Sequence, residues 1–236
     1  FLYFGGGITY NGLEIVEILL GKGNDTLTID DTGDRDEKMG VTPDPATITA
    51  IHGGGGDDTI FANNRGHGPL VIYGDTSEDG VRYSNDQPAA SVNGTKFNNP
   101  GNDMIDASAM PAHNDGFVGV VIYGGAGNDT IYGSQGDDQL AGGSGDDTIY
   151  AQAGNDDVYG DSAFNVNLQL FAQDQIARFD ANDAGQLAKI NAMFTVPTTP
   201  TPGADHLYGD NGADIILGDH GVITQASGTR RIETTG

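Results

Sequence analysis

From Gly124 to Tyr159 the chain repeats one nine-residue unit four times without a gap: GGAGNDTIY, GSQGDDQLA, GGSGDDTIY, AQAGNDDVY. Each unit carries Gly at its fourth place (127, 136, 145, 154), Asp at its sixth (129, 138, 147, 156) and an aliphatic residue at its eighth (Ile131, Leu140, Ile149, Val158). The same core recurs at Gly23/Asp25/Leu27, Gly56/Asp58/Ile60, Gly101/Asp103/Ile105, Gly203/Asp205/Leu207 and Gly212/Asp214/Ile216. A fixed short period held over consecutive units is the mark of a stacked repeat architecture.

The spacing dictates the local structure. Six residues rich in Gly form a tight turn, because a missing Cβ permits positive φ and lets backbone carbonyls converge. The other three make a very short strand whose central aliphatic points inward. Two units complete one coil of eighteen residues, so turns eighteen apart stack on the same edge. Asp129 is expected over Asp147, and Asp138 over Asp156. Stacked carboxylates repel unless a cation lies between them. Calcium suits the site because it accepts six to eight oxygens at about 2.3–2.6 Å, whereas magnesium demands stricter octahedral geometry and zinc favours His or Cys. The expected ligands are Asp25, Asp58, Asp103, Asp129, Asp138, Asp147, Asp156, Asp205, Asp210, Asp214 and Asp219, with turn carbonyls from Gly124, Ala126, Gly133, Gln135, Gly142, Ser144, Ala151 and Ala153. Between residues 122 and 161 there is no Lys or Arg to neutralise eight Asp.

Composition agrees. Of the 34 acidic residues only five are Glu, and with 10 Lys and Arg the formal net charge is −24. Short Asp carboxylates beside glycines suit a ligand held close to a backbone turn. So negative a field repels nucleic acid and anionic lipid heads and favours cations. The 38 Gly show no collagen-like period. With no Cys there is neither a disulfide scaffold nor a thiolate zinc site. No apolar run approaches the about 20 residues of a membrane-spanning helix. The start FLYFGGG, without Met or a basic leader, reads as part of something larger.

The fold expected is therefore all-β: a parallel β-roll or β-helix with glycine-rich calcium-binding turns and a short helical insertion. Residues 1–121 read as an irregular β-roll or β-helical region with loop excursions, 122–161 as the regular roll, 162–202 as the insertion and 203–236 as the resumed roll. Within the first region, 12–29 reads as strand, glycine turn and strand, and 52–62 as another coil edge. Residues 30–47 and 75–100 are the excursions. In the insertion, Asp183 with Gln186 makes a capping box, and Leu187, Ile190 and Phe194 share one helical face.

Enzymatic motifs are missing. There is no HExxH or GxSxG, and Gly21-Lys22-Gly23-Asn24 lacks the spacing of a phosphate-binding loop. Carboxylate pairs such as Asp146/Asp147 recur as a series, whereas a glycosidase needs one asymmetric pair. Their first members are expected to face solvent or support the turn. Asp180, Asn182 and Gly185 resemble an EF-hand start, but Ala184 and Asn191 stand at ligand places. The five His, at 52, 67, 113, 206 and 220, show no zinc spacing and read as surface or turn residues. Tyr132, Tyr150, Tyr159 and Tyr208 fill ninth places; Tyr132 and Tyr150 are expected to stack.

GGAGNDTIY and GGSGDDTIY match the G-G-x-G-x-D-x-U-x motif at every defined place, so the chain resembles the RTX family of hemolysin-type calcium-binding repeats. GSQGDDQLA departs from it at Ser134, and AQAGNDDVY at Ala151 and Gln152. The resemblance implies a non-enzymatic, structural module of a secreted or cell-surface bacterial protein, exported by a type I secretion machinery and folded outside the cell around several calcium ions. A surface or matrix protein or polysaccharide is the macromolecular partner it suggests. One alternative is the carrier region of an exported enzyme or toxin whose catalytic domain lies outside this chain. Another is an ice-binding or other adhesin repeat, although the third turn places (Lys22, Gly55, Ala126, Gln135, Ser144, Ala153, Asn211) lack a Thr row.

Overall fold

A computed structural model describes residues 13, 15–21, 23–32, 47–66, 68–75, 101–113, 119–161, 203–218, 222–226 and 229–233. Their strands, in chain order, are β1 (Ile15–Gly21), β2 (Thr26–Ile29), β3 (Ile48–Gly54), β4 (Thr59–Ala62), β5 (Leu70–Asp75), β6 (Met104–Asp106), β7 (Val121–Ala126), β8 (Thr130–Tyr132), β9 (Gln139–Ser144), β10 (Thr148–Tyr150), β11 (Asp157–Tyr159), β12 (His206–Tyr208), β13 (Ile215–Leu217), β14 (Val222–Ala226) and β15 (Thr229–Glu233). Odd and even strands separate into two sheets, β1-β3-β5-β7-β9-β11-β13 and β12-β10-β8-β6-β4-β2, while β14 and β15 form an antiparallel pair. Every pairing within the two large sheets is parallel. The chain thus alternates between sheets at each turn, and two strands make one coil.

The register explains why the eighth place of each unit is aliphatic. Ile18, Ile51, Ile72, Ile122, Leu140, Val158 and Ile216 are successive partners across the first sheet. Leu27, Ile60, Ile105, Ile131, Ile149 and Leu207 form the matching column in the second. Members from Ile51 to Val158 and from Ile60 to Ile149 are fully buried in one apolar core. Short strands suffice because each contributes one side chain to this seam and gains its cohesion from neighbours above and below.

The two outer faces differ. On the first sheet Val71, Tyr73, Val121, Tyr123, Ala141 and Tyr159 make a second buried apolar cluster. On the second sheet Tyr132, Tyr150 and Tyr208 form a ladder, with ring centroids 5.0 and 4.8 Å apart and planes within 9° of parallel. The stacking expected of Tyr132 and Tyr150 is present and extends one coil further. Tyr159, in the same sequence place, belongs to the opposite sheet and is buried.

His52 corrects the expectation of surface histidines. It lies in mid-β3, wholly buried, stacked on Tyr73 at 4.7 Å and with Nε2 3.5 Å from a Glu17 carboxylate oxygen. His113 is bonded to Asn64, and His206 is exposed. His67, His220 and Asp219 fall outside the described residues, as do residues 162–202 with the expected helix and residues 76–100. Among the described residues there is no helix, and so none long and apolar enough to cross a membrane.

Because inner-column residues are buried by position in the stack, the cost of truncation depends on distance from its ends. Ile131→Ala is expected to cost about 2–5 kcal/mol in urea unfolding at saturating calcium. Ile216→Ala, on the terminal coil and 43% exposed, is expected to cost about 1 kcal/mol or less.

Candidate metal centre

Turns from the first sheet to the second share one edge of the roll, and turns back share the other. Along the first edge the sixth-place aspartates form a ladder. The amide of Asp25 donates to Asp58 Oδ1 at 2.7 Å, Asp58 to Asp103 at 2.8 Å, Asp103 to Asp129 at 2.8 Å, Asp129 to Asp147 at 2.8 Å and Asp147 to Asp205 at 3.0 Å. On the opposite edge the amide of Val120 donates to Asp138 at 2.8 Å, Asp138 to Asp156 at 2.8 Å and Asp156 to Asp214 at 3.1 Å. Both expected stacks, 129 with 147 and 138 with 156, are therefore present.

The fifth places run the other way. Asp57 donates its amide to Asn24 Oδ1, Asn102 to Asp57, Asn128 to Asn102, Asp146 to Asn128 and Ala204 to Asp146. The acceptor side chains are exposed; Asp57 and Asp146 are the first members of carboxylate pairs, and Asn24, Asn102 and Asn128 fill the same place in their turns. They stitch coil to coil from the solvent side, as expected of turn supports.

Each sixth-place carboxylate after Asp25 thus spends one oxygen on the preceding turn. The other Oδ2 atom, on Asp58, Asp103, Asp129, Asp147 and Asp156, is buried and accepts no hydrogen bond. A buried anionic oxygen without a partner is costly, and a repeated one calls for a cation. The surroundings supply further oxygen. A Cβ placed on Gly74 would lie 2.3 Å from Asp103 Oδ2 and 2.3 Å from the Gly124 carbonyl. On Gly124 it would meet Asp129 Oδ2 at 2.3 Å and the Gly142 carbonyl at 2.6 Å; on Gly133, the Ala151 carbonyl at 2.5 Å and Asp138 Oδ2 at 2.7 Å. The first-place glycines therefore leave gaps lined by a carboxylate and a carbonyl oxygen, which any side chain would fill. Among the described residues no three His, Cys, Asp or Glu side chains converge on one point. The donor set is carboxylate plus backbone carbonyl, hard oxygen throughout, and it fits calcium better than zinc.

Burial raises these carboxyls first, and neighbouring carboxylates raise them further against the lowering effect of the amide bonds. Asp58 is pushed up to about 6, Asp103, Asp147 and Asp156 to about 7, Asp138 to about 8, and Asp129 well above the ordinary carboxylate range. With only its own groups around it, each of these carboxyls holds its proton to higher pH than a free aspartate does.

The expected carbonyl donors divide. Gly124, Gly142 and Ala151 place their carbonyls beside the Oδ2 atoms of Asp103, Asp129 and Asp138. Of the third-place residues, Ala126 pairs with Ser144, whose carbonyl accepts the Gly127 amide, and Ala153 bridges to Asn211. The Gln135 amide donates to Met110 and its side chain to Ser108. Ser134, the first departure from the repeat, gives its hydroxyl and amide to Asp138, so Asp138 lacks the free oxygen seen elsewhere. Gln152 and Asp210 occupy second places with φ of 76° and 60°, a conformation otherwise taken there by Gly21, Gly54, Gly125 and Gly143. Asp210 also accepts the Gln152 amide at 3.3 Å. Asp75 and Asp161, both buried, were not among the sequence candidates; each follows a Gly and precedes one of the two long excursions.

No curated protein and no solved structure matches the chain significantly. A family model does, the RTX calcium-binding nonapeptide repeat, in four copies over residues 50–64, 121–149, 132–166 and 201–221. These repeats are structural rather than catalytic, bind several calcium ions and form calcium-stabilised modules of secreted or surface bacterial proteins. With the parallel coils and the stacked aspartates, the matches identify residues 50–64, 121–166 and 201–221 as repeats of the RTX hemolysin-type calcium-binding family.

Proposed function

We propose that this chain is a scaffold whose folding is completed by calcium outside the cell, with ions held along both edges by the sixth-place aspartates and by turn carbonyls. The observation that carries the reading is the row of buried Oδ2 atoms without hydrogen-bond partners. On this reading Asp25, Asp58, Asp103, Asp129, Asp147 and Asp205 serve one edge, and Asp138, Asp156 and Asp214 the other. Bound calcium supplies the positive charge that lets these carboxylates ionise in a buried place. The aspartates and carbonyls hold and space the turns; the fifth-place Asx residues fix their stacking.

The compartment follows from affinity. Extracellular calcium modules bind at about 10⁻⁴–10⁻³ M, far above cytosolic free calcium. A chain of this charge therefore stays unfolded before export and folds after it, which suits passage through a type I secretion machinery. Each site held at a hundredfold excess of calcium over its Kd adds about 2.7 kcal/mol to the folded state. The coils built from β1 to β13 act as one rod in this scheme.

Three measurements test it. Circular dichroism after chelation is expected to show a disordered chain at neutral pH that gains β structure on titration with calcium and not with magnesium; equal β content in chelator would sink the proposal. Asp147→Ala is expected to shift the calcium midpoint severalfold, whereas Asp146→Ala, which loses one exposed hydrogen bond, costs about 1 kcal/mol or less with little shift; equal losses would overturn the assignment of the sixth place. The pH dependence has a fixed sign. The folded carboxyls titrate above their unfolded value, so the calcium-free fold gains stability from protonation that is fully present below pH about 4 and lost as pH rises through about 6 to 8. Calcium needs the ionised form, so its midpoint should fall over the same interval. Chelated protein with no more β structure at pH 4.5 than at pH 8 would contradict this.

A further inference from the structure

Two of the turns on the first edge are interrupted, and both are interrupted at the same place. Gly74-Asp75 fills the first and second places of a unit that resumes at Gly101-Asn102-Asp103, and Gly160-Asp161 begins one that resumes at Gly203-Ala204-Asp205. The intervening residues, 76–100 and 162–202, replace the third place alone. Sixth-place Asp103 and Asp205 remain in the ladder, bonded to the amides of Asp58 and Asp147.

The interruption changes the second place. Uninterrupted turns on this edge have a left-handed Gly there, with φ between 111° and 130° at Gly21, Gly54, Gly125 and Gly143. Asp75 and Asp161 do not adopt that conformation. Each instead closes the root of its excursion with a carboxylate. Asp75 accepts the Gly101 amide at 3.4 Å and the Ala126 amide of the next coil at 2.7 Å. Asp161 accepts the Gly203 amide with its two oxygens at 2.9 and 3.0 Å.

Hydrogen bonding alone does not require the charge, since an amide oxygen accepts the same N–H groups. The neighbours point to a further purpose. Beside Asp75 lies the oxygen-lined gap at Gly74, into which buried Asp103 directs an Oδ2 atom that has no hydrogen-bond partner. Beside Asp161 the gap at Gly160 faces Asp205 Oδ2, with the unpartnered Oδ2 of Asp147 one coil away. A carboxylate at the second place brings a further hard, anionic donor to that part of the turn.

We propose that Asp75 and Asp161 are calcium ligands peculiar to the interrupted turns, each adding a carboxylate so that the ladder of ions continues past the excursion. The inference rests on the calcium-scaffold reading. It makes the roots of 76–100 and 162–202 metal-locked junctions on one edge, separated by three coils.

The test uses the full 236-residue chain, with Asp75→Asn, Asp161→Asn and Asp75→Ala, titrated with calcium chloride after chelation. Folding is followed by circular dichroism and bound calcium by atomic absorption after equilibrium dialysis. Each Asn variant is expected to bind one calcium fewer at saturation or to need about tenfold more calcium to fold, while keeping the hydrogen bonds. Asn variants with unchanged midpoint and stoichiometry would overturn the proposal, and an effect of Asp75→Ala alone would then identify a hydrogen-bonding clasp. If the unmodified chain did not respond to calcium, the scaffold reading itself would fail, and this inference with it.

Discussion

The structure depends on a carboxylate used twice. One oxygen of a sixth-place aspartate accepts an amide from the neighbouring coil and sets the vertical register; at Asp58, Asp103, Asp129, Asp147 and Asp156 the other is left buried without a hydrogen-bond partner. The first use is available to the chain by itself, and the second is not. Parallel strands of three residues bury too little to offset both the ordering of six-residue turns and the crowding of like charges. An arrangement that stacks acids at every coil is stable as carboxylate only with a cation between them. Architecture and ion dependence are thus one property.

The core obeys the same geometry. A single aliphatic per unit makes an inner column because every coil repeats the same register, and the columns of Ile, Leu and Val run through strands whose sequence spacing varies widely. The glycines act by what they lack. At Gly124 and Gly142 a side chain would collide with an aspartate oxygen, so in those two turns the first place stays bare for the acid to turn inward. Gln152 shows the tolerance of the second place: it takes a left-handed φ at a cost of about 1–3 kcal/mol, affordable in one coil that keeps Asp156 in the ladder.

The uninterrupted units revealed the fold class, the inward aliphatics, the stacking of Asp129 on Asp147 and the Tyr132–Tyr150 contact, because period nine transmits all of them. What the sequence concealed was continuity. Consecutive ladder contacts on the first edge join residues 33, 45, 26, 18 and 58 apart, and only one of these equals the period. An excursion lengthens the spacing without moving the turn, so the stretch before residue 121 looked irregular while its aspartates stood in the same row. Gly160/Asp161 reads in the sequence as a variant of the turn, but neither Asp75 nor Asp161 reads as a ligand, for a related reason: their partners Gly101 and Gly203 lie beyond the excursion. His52 was misjudged because a polar residue in a short alternating strand gives no sign that the sheet is buried on its outer face as well.

The opposite edge shows how the roll manages where the repeat has not begun. Its loops at 63–69 and 107–120 place no aspartate in the ladder among the described residues. Instead the wholly buried Arg65 donates from Nε to the Gly119 carbonyl at 2.9 Å and from a terminal nitrogen to the carbonyls of Gly66 and Gly68 at 3.2 and 3.4 Å. Gly119 C=O and Val120 N–H belong to one peptide group, and that N–H is the donor to Asp138 Oδ1. A guanidinium and the first aspartate of the ladder therefore polarise the same peptide from its two ends, each strengthening the other's hydrogen bond in a buried setting. Ser134 adds its own amide and hydroxyl to Asp138. The first acid of this edge is satisfied by the protein's own donors, whereas Asp156, one coil on, has a buried oxygen left over. Along this edge cohesion passes from an internal cation to sites that need an external one, and the handover falls at the single peptide between Gly119 and Val120.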